Sequence, residues 1–268
     1  MAVLAHPDDE SLGFGGTLAK YASEGADVFL VTATRGQRGR YNGHPPGDDQ
    51  HPGAAALGEI RERELRSAAS VLGIREVSLL QYTDSQLDQA DARAAIADVV
   101  RHLRRLRPDV VITFGPEGAY GHPDHIAISQ FTTAAVVAAA DPGFDGDGAE
   151  AHSASKLYYL AWPASTWSAY QAAFRQLVSN VDGVARQATP WPDWAITTVI
   201  DTRACWSTVW RAVSCHASQV SAYERLKDLS PEHHESLWGW QSFYRVFSTV
   251  NGGRARETDL FAGIADRP

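Results

Sequence analysis

Cysteine is nearly missing from this chain: Cys205 and Cys215 are the two in 268 residues. That excludes a disulfide-stapled scaffold and fits free thiols in a reducing compartment. No apolar run approaches the length of a bilayer span, and no basic stretch followed by an apolar one opens the sequence. A cytoplasmic protein without a membrane span is the expectation. Positive charge is in deficit too. Lys and Arg number 24 against 32 Asp and Glu, a formal net charge of −8, which argues against nucleic acid or an anionic membrane as the partner. Internal repeats are absent, and no low-complexity tract exceeds a loop. Tryptophan is missing until Trp162; the others are Trp167, Trp191, Trp194, Trp206, Trp210, Trp238 and Trp240. These read as packing residues of a C-terminal cap, one or two of them suited to stacking on a sugar ring. The rest is ordinary for a globular protein that buries a sizeable core: 44% hydrophobic and 21% charged residues.

The stretch Ala2 to Glu10 organises the chain. An apolar run, Ala2 to Ala5, reads as a buried parallel strand. It leads into His6, Pro7, Asp8, Asp9 and Glu10, then into a turn marked by Gly13, Gly15 and Gly16 and a helix over Thr17–Ser23. Three acids beside one imidazole repel one another unless positive charge sits among them. A metal ion supplies it most simply. A second cluster repeats the pattern: a buried-strand run Asp109 to Phe114, a Gly-rich loop, then His122-Pro123-Asp124-His125 opening an apolar helix over Ile126 to Ala140.

Between the clusters lie a strand at Val28–Thr32, a helix at Glu59–Leu72, a strand at Val77–Leu80 and a helix at Asp91–Leu106. Strand-helix alternation four times over predicts an α/β fold with a mostly parallel, Rossmann-like sheet flanked by helices, its crossovers right-handed. Residues 1–140 would form that core and 141–268 a capping region and sheet extension of the same domain. In the latter, strands are expected at Leu157–Ala161 and Ile196–Ile200, helices at Trp167–Val178 and Thr202–Gln219. In the strand order 3-2-1-4-5, His6, Asp9 and His125 converge on the crevice at the switch point between strands one and four. A histidine met alone is more often a satisfied structural one. Here two histidines and a carboxylate arrive together, the pattern of catalytic zinc with a fourth position for water; iron(II) or cobalt would also accept these donors. The loop Arg35 to Gly58 carries His44, Asp48, Asp49 and His51. A solvated flap is the preferred reading over a second metal site.

The two motifs taken as a pair, Ala5-His6-Pro7-Asp8-Asp9-Glu10 and Gly121-His122-Pro123-Asp124-His125, resemble the zinc-dependent N-acetylglucosaminyl deacetylases of the PIG-L/LmbE-like family. Arg61-x-x-Glu64 running to Leu72-Gly73 is similar to that family's Arg-bearing helix, and His216-Ala217-Ser218-Gln219 to its His-x-Ser-Gln. The resemblance implies hydrolysis of an N-acetyl group on a glucosamine-type sugar or glycoconjugate. Asp8 would be the general base, with an orienting role for it kept as the alternative. His122, as imidazolium, would stabilise the oxyanion, and Asp124 would orient an imidazole. Arg61, Asp84 and Tyr120 would face the substrate. Gln37 stands where the family commonly has glutamate, and a lysine expected before His216 is absent, so the fit of the sugar and its aglycone is left open. So is a homo-oligomer.

Three rival readings remain. Ser11 to Gly16 could be a nucleotide-binding turn, but the acids directly before it would repel a pyrophosphate. An amidase acting on a larger thiol-sugar conjugate would use the same machinery. A non-catalytic sugar-binding module would lack Asp8 or His122, and both are present.

Overall fold

The computed structural model describes residues 1–144, 148–164, 178–181, 184–187, 189–253 and 255–264. Strands β1 (Ala2–Leu4), β2 (Phe29–Thr34), β3 (Glu76–Tyr82), β4 (Val110–Thr113) and β5 (Lys156–Leu160) run parallel in the expected order 3-2-1-4-5. A separate antiparallel hairpin joins β6 (Val178–Val181) to β7 (Val184–Gln187). The main sheet continues past β5 with β8 (Thr198–Asp201) and β9 (Trp240–Ser248). β9 pairs antiparallel with both β5 and β8, so the full order is 3-2-1-4-5-9-8. The sheet is thus mostly parallel with an antiparallel extension.

Burial explains the short strands. Ala2, Val3 and Leu4 are wholly inaccessible, as are all four residues of β4 to within a few per cent, because helices cover both faces of a parallel sheet. Helices α1 (Asp9–Leu12) and α2 (Gly15–Ser23) follow β1; α3 (Ala54–Leu72) links β2 to β3, and α4 (Ala92–Leu106) links β3 to β4. A short, kinked α5 (Gly118–Gly121) precedes α6 (Pro123–Ala139), and α7 (Trp206–Cys215) and α8 (Pro231–Trp238) lie in the C-terminal part. α4 packs with α6 in one helix layer, and α2, α3 and α7 pack together in the other. Phe14 fixes the turn after β1: it meets Phe114 edge-on at 5.5 Å and Phe243 at 6.5 Å.

Several expectations need correction. α3 begins at Ala54, not Glu59, because Ala54-Ala55-Ala56 has high helix propensity once Gly53 has turned the chain. The flap is therefore 35–53. The helix expected over Thr202–Gln219 ends at Cys215; His216 leaves helical geometry and a 3₁₀ run follows over Ala217–Asp228. The helix expected over Trp167–Val178 lies outside the described residues except for Val178, which opens β6. β9 was not foreseen at all.

Candidate active site

The site forms where β1, β3 and β4 end. After β1 the chain cannot continue as a strand, because Pro7 lacks an N–H for the ladder. It turns through Asp8, which sits at φ 98°, a left-handed conformation strained for an aspartate. Three hydrogen bonds, from two side chains, hold it there. Its N–H donates to Glu10 Oε2 (2.9 Å), and Arg61 Nη2 donates to Pro7 O (2.5 Å) and to Asp8 Oδ2 (3.1 Å). Arg61 reaches inward because it occupies the buried stripe of α3, in line with Leu57, Leu65, Ala68 and Leu72. Its Nη1 donates to Gly36 O at 2.8 Å, and Gly36, at φ 60°, leaves no room for a side chain: a Cβ would stand 2.0 Å from Nη1. On the opposite face Glu62 pairs with Arg35 and Arg66 at the surface, and Arg63 is exposed.

After β4, a second strained residue, Ala119 at φ 63°, turns Tyr120 toward the crevice. His122 caps α6: its Nδ1 accepts the N–H of Asp124 at 3.2 Å, with Pro123 in the first turn. That bond fixes the tautomer of a neutral His122, leaving its proton on Nε2. His125 lies one turn further, stacked flat on Phe114 at 4.0 Å.

The three residues expected as ligands are brought together. His6 Nδ1 and His125 Nε2 are 3.1 Å apart, His125 Nε2 and Asp9 Oδ1 3.3 Å, and His6 Nδ1 and Asp9 Oδ2 3.7 Å. Ligands about 2.05 Å from a tetrahedral ion stand about 3.3 Å from one another. The donor atoms therefore fit a divalent metal, and the mixed nitrogen-carboxylate set suits zinc chemistry. His122 also comes within ligand reach of His6 and His125. The other nitrogen of His6 is fixed from behind: Nε2 lies 3.0 Å from Asp124 Oδ2 and 3.2 Å from Asp84 Oδ1. Carboxylates behind a histidine set its tautomer and strengthen it as a ligand. Asp124 is itself anchored by the N–H groups of Ser85 (2.7 Å) and Leu87 (3.0 Å). Asp84, expected toward the sugar, meets His6 and the N–H of Arg38 (2.8 Å) instead.

Burial disfavours charge on His6, but the carboxylates of Asp124, Asp84 and Asp9 win and hold it well above its ordinary value. Burial likewise opposes ionisation of Asp9, yet His125 and His6 keep its carboxyl far below the usual range. His122 goes the other way. Burial, then the neighbouring His6 and His125, push it down to about 3. The imidazolium expected there is replaced by a neutral ring with an Nε2–H donor. Burial and the nearby Asp9 and Asp8 raise Tyr120 well above its ordinary value, so its hydroxyl keeps its proton.

The flap residues do not assemble a second centre. His44 Nδ1 meets Asp48 Oδ1 at 3.4 Å, while His51 Nε2 faces Gly39 O at 3.1 Å. Gln37 accepts from the N–H of Arg35 (3.2 Å) and donates to Tyr82 O (3.4 Å). One buried pair escaped sequence reasoning altogether: Glu10 Oε1 lies 2.7 Å from His216 Nε2, both residues fully buried. The motif around His216 was visible; its partner 206 positions earlier was not. Of the tryptophans, Trp238 is buried against Trp210, Trp194 is exposed, and Trp191 Nε1 donates to Glu117 Oε1 (2.9 Å) beside the loop that carries Tyr120.

The chain is similar to known proteins over most of its length. The 1D-myo-inositol 2-acetamido-2-deoxy-alpha-D-glucopyranoside deacetylase of Rhodococcus jostii is 36% identical over 288 residues, covering 98% of this chain and 97% of that one. Among solved structures, the N,N'-diacetylchitobiose deacetylase of Pyrococcus horikoshii superposes with a TM-score of 0.67 at 21% identity, over 91% of this chain and 82% of the other. The 4-carboxy-2-hydroxymuconate hydratase of Pseudomonas putida does so with a TM-score of 0.70 at 19% identity, over 95% and 98%. These two likenesses show the fold alone, and the hydratase is a reminder that one fold hosts several reactions. A family model described as GlcNAc-PI de-N-acetylase, PIG-L, matches residues 1–136. The chain belongs to the PIG-L family.

Proposed function

We propose that this protein is a metal-dependent hydrolase that removes the acetyl group from an N-acetylglucosamine unit on a polyol or similar aglycone. The observation that carries the reading is the convergence of His6 Nδ1, His125 Nε2 and the Asp9 carboxylate within 3.7 Å of one another, with Asp8 adjacent in sequence. The deacetylase name of the high-coverage Rhodococcus relative supports it.

His6, Asp9 and His125 would hold the ion, zinc by the chemistry of the donors. Once bound, the ion would polarise the amide carbonyl and acidify a water. Asp8 is the general base. Arg61 holds it from one side (3.1 Å), and the carboxylate takes a proton from the attacking water and passes one to the departing amine. His122 donates its Nε2–H to the developing oxyanion, which a neutral imidazole does without needing to titrate. Tyr120, kept protonated, is a second donor. Asp124 and Asp84 hold His6 by its Nε2, leaving Nδ1 as the nitrogen that would ligate the ion. Arg61 and Asp84 act from behind the site, their polar atoms engaged by Asp8, Pro7 and Gly36 and by His6 and Arg38 respectively.

Metal analysis together with acetate release from N-acetylglucosaminyl-inositol and a panel of other N-acetylated sugars tests the reading. About one divalent ion per chain, activity lost to chelator and restored by zinc, and turnover of the sugar amides are expected. Undiminished activity in metal-free protein, or turnover of non-sugar amides alone, would overturn it.

A further inference from the structure

The proposed function leaves Glu10 and the His216-x-Ser218 stretch without a part. Glu10 and His216 are wholly inaccessible, and neither faces the crevice with its polar atoms: Glu10 Oε1 is taken by His216 Nε2 (2.7 Å) and Ser11 Oγ (2.6 Å), and Oε2 by the N–H of Asp8 (2.9 Å). Two residues on, Ser218 clamps α3, its N–H donating to Glu64 Oε1 and its Oγ to Glu64 Oε2, each at 2.7 Å. Glu64 is one turn from Arg61, whose Nη2 grips Pro7 O and Asp8 Oδ2. Two arms therefore leave one short stretch and end on the same residue. One passes through Glu10 to the Asp8 backbone; the other passes through Glu64 and Arg61 to the Asp8 carboxylate.

Asp8 has reason to need this. An aspartate at φ 98° is strained and persists only where its surroundings over-determine it. Relaxing to ordinary dihedrals would swing the carboxylate away from the crevice, and a displacement of about 1 Å can cost about 100-fold in rate.

We propose that the C-terminal His216-x-Ser218 stretch is a two-armed brace, and that Glu10 and His216 are positioning residues that aim Asp8 for proton transfer. The inference rests on the reading of Asp8 as the general base. It makes the C-terminal region a contributor to the chemistry of the N-terminal motif without touching substrate. His216 acts as an N–H donor rather than as a shape, since its Nε2 faces the Glu10 carboxylate, and its other nitrogen, Nδ1, is buried with no hydrogen-bond partner among the described residues.

A double-mutant cycle tests this. Glu10→Gln and His216→Ala should each lower kcat by about 10- to 100-fold, with KM and metal content unchanged. His216→Gln presents an N–H at the same reach and should recover most of that loss. In an Asp8→Asn background, Glu10→Gln and His216→Ala should cost almost nothing more, because the group they aim is gone. A merely structural pair would give losses that multiply in the double variants and would not discriminate Gln from Ala at His216. Multiplied losses, or loss of metal in either single variant, would overturn the brace. If Glu10→Gln fails to fold, the His216 variants carry the same cycle alone. Full activity in Asp8→Asn would instead overturn the assignment of the base, and the brace with it, by a separable result.

Discussion

Two buried polar clusters in this molecule are built on opposite principles. Around Glu257, donors close on a single carboxylate: Lys156 Nζ (2.8 Å), Arg245 Nη1 (2.9 Å) and Asn251 Nδ2 (2.7 Å) on Oε1, Tyr158 hydroxyl (2.7 Å) and Thr198 Oγ1 (3.0 Å) on Oε2. The backbone there lies in ordinary conformations, and the cluster ties β5, β8 and β9 to the chain end. Around His6 the groups do not balance. Two carboxylates face one His6 nitrogen, two imidazole nitrogens face each other at 3.1 Å, His125 Nδ1 is buried with no hydrogen-bond partner among the described residues, and Asp8 and Ala119 are strained. A satisfied network rigidifies; one left unbalanced and strained is positioned for something besides stability. The difference separates the antiparallel extension, which stabilises, from the parallel half, which carries the chemistry.

The largest expected effect breaks the unbalanced cluster at its centre. His6→Ala or His125→Ala should abolish metal binding and activity together, read by elemental analysis and acetate release. Either variant retaining full metal occupancy would remove that residue from the ligand set. Next comes the split between neighbouring aspartates. Asp8→Asn should keep the metal and lose about 10²- to 10⁴-fold in kcat. Asp9→Asn should weaken metal binding, because a neutral oxygen replaces a charged one. The reverse pattern would mean the two roles are exchanged.

How far the sequence reaches depends on locality. Strands β1, β2, β4 and β5 were legible because strands buried on both faces read as largely apolar runs bounded by Gly and Pro, and the half-buried edge strand β3 by its Val77–Leu80 stretch. Both histidine turns were legible for the same reason: chemistry sits at the strand ends. β9 was missed because its pairing is wholly non-local, sandwiched between β5 and the four-residue β8, and its burial does not alternate cleanly along Trp240–Ser248. Within the site, His6, Asp9 and His125 converge as the spacing implied. Asp84 was placed toward the sugar because nothing local to Asp84-Ser85 announces His6 as a partner. The charge of His122 was misjudged because position alone does not reveal two other imidazoles with ring centres within 5 Å.

His122 sharpens the comparison by the next smaller step. His122→Ala should reduce kcat by about 10²- to 10³-fold, the cost of losing one oxyanion donor, while metal content stays at the parental level. A variant that loses its metal would make His122 a ligand, consistent with its reach toward His6 and His125.

The smallest effect on rate belongs to the balanced cluster, and it is visible only in stability. Glu257→Gln leaves the active site untouched, so kcat per folded molecule should equal the parent's. Removing the charge strands buried Lys156 and should cost about 3–5 kcal/mol, checked by denaturant unfolding. The pH dependence gives the sharper reading. Burial raises the Glu257 carboxyl, but Lys156, Asn251, Tyr158 and Thr198 outweigh it and hold it down to about 2, against an ordinary 4.5. A carboxyl depressed on folding contributes stability that is fully present above its unfolded value and fades as pH falls toward its folded one. The stability gap between parent and Glu257→Gln should therefore be constant above pH ~5 and narrow steadily between about pH 4.5 and 2. A gap that held its size through that window would show that the cluster stabilises by shape rather than by charge, and the contrast with the His6 cluster would lose its electrostatic basis.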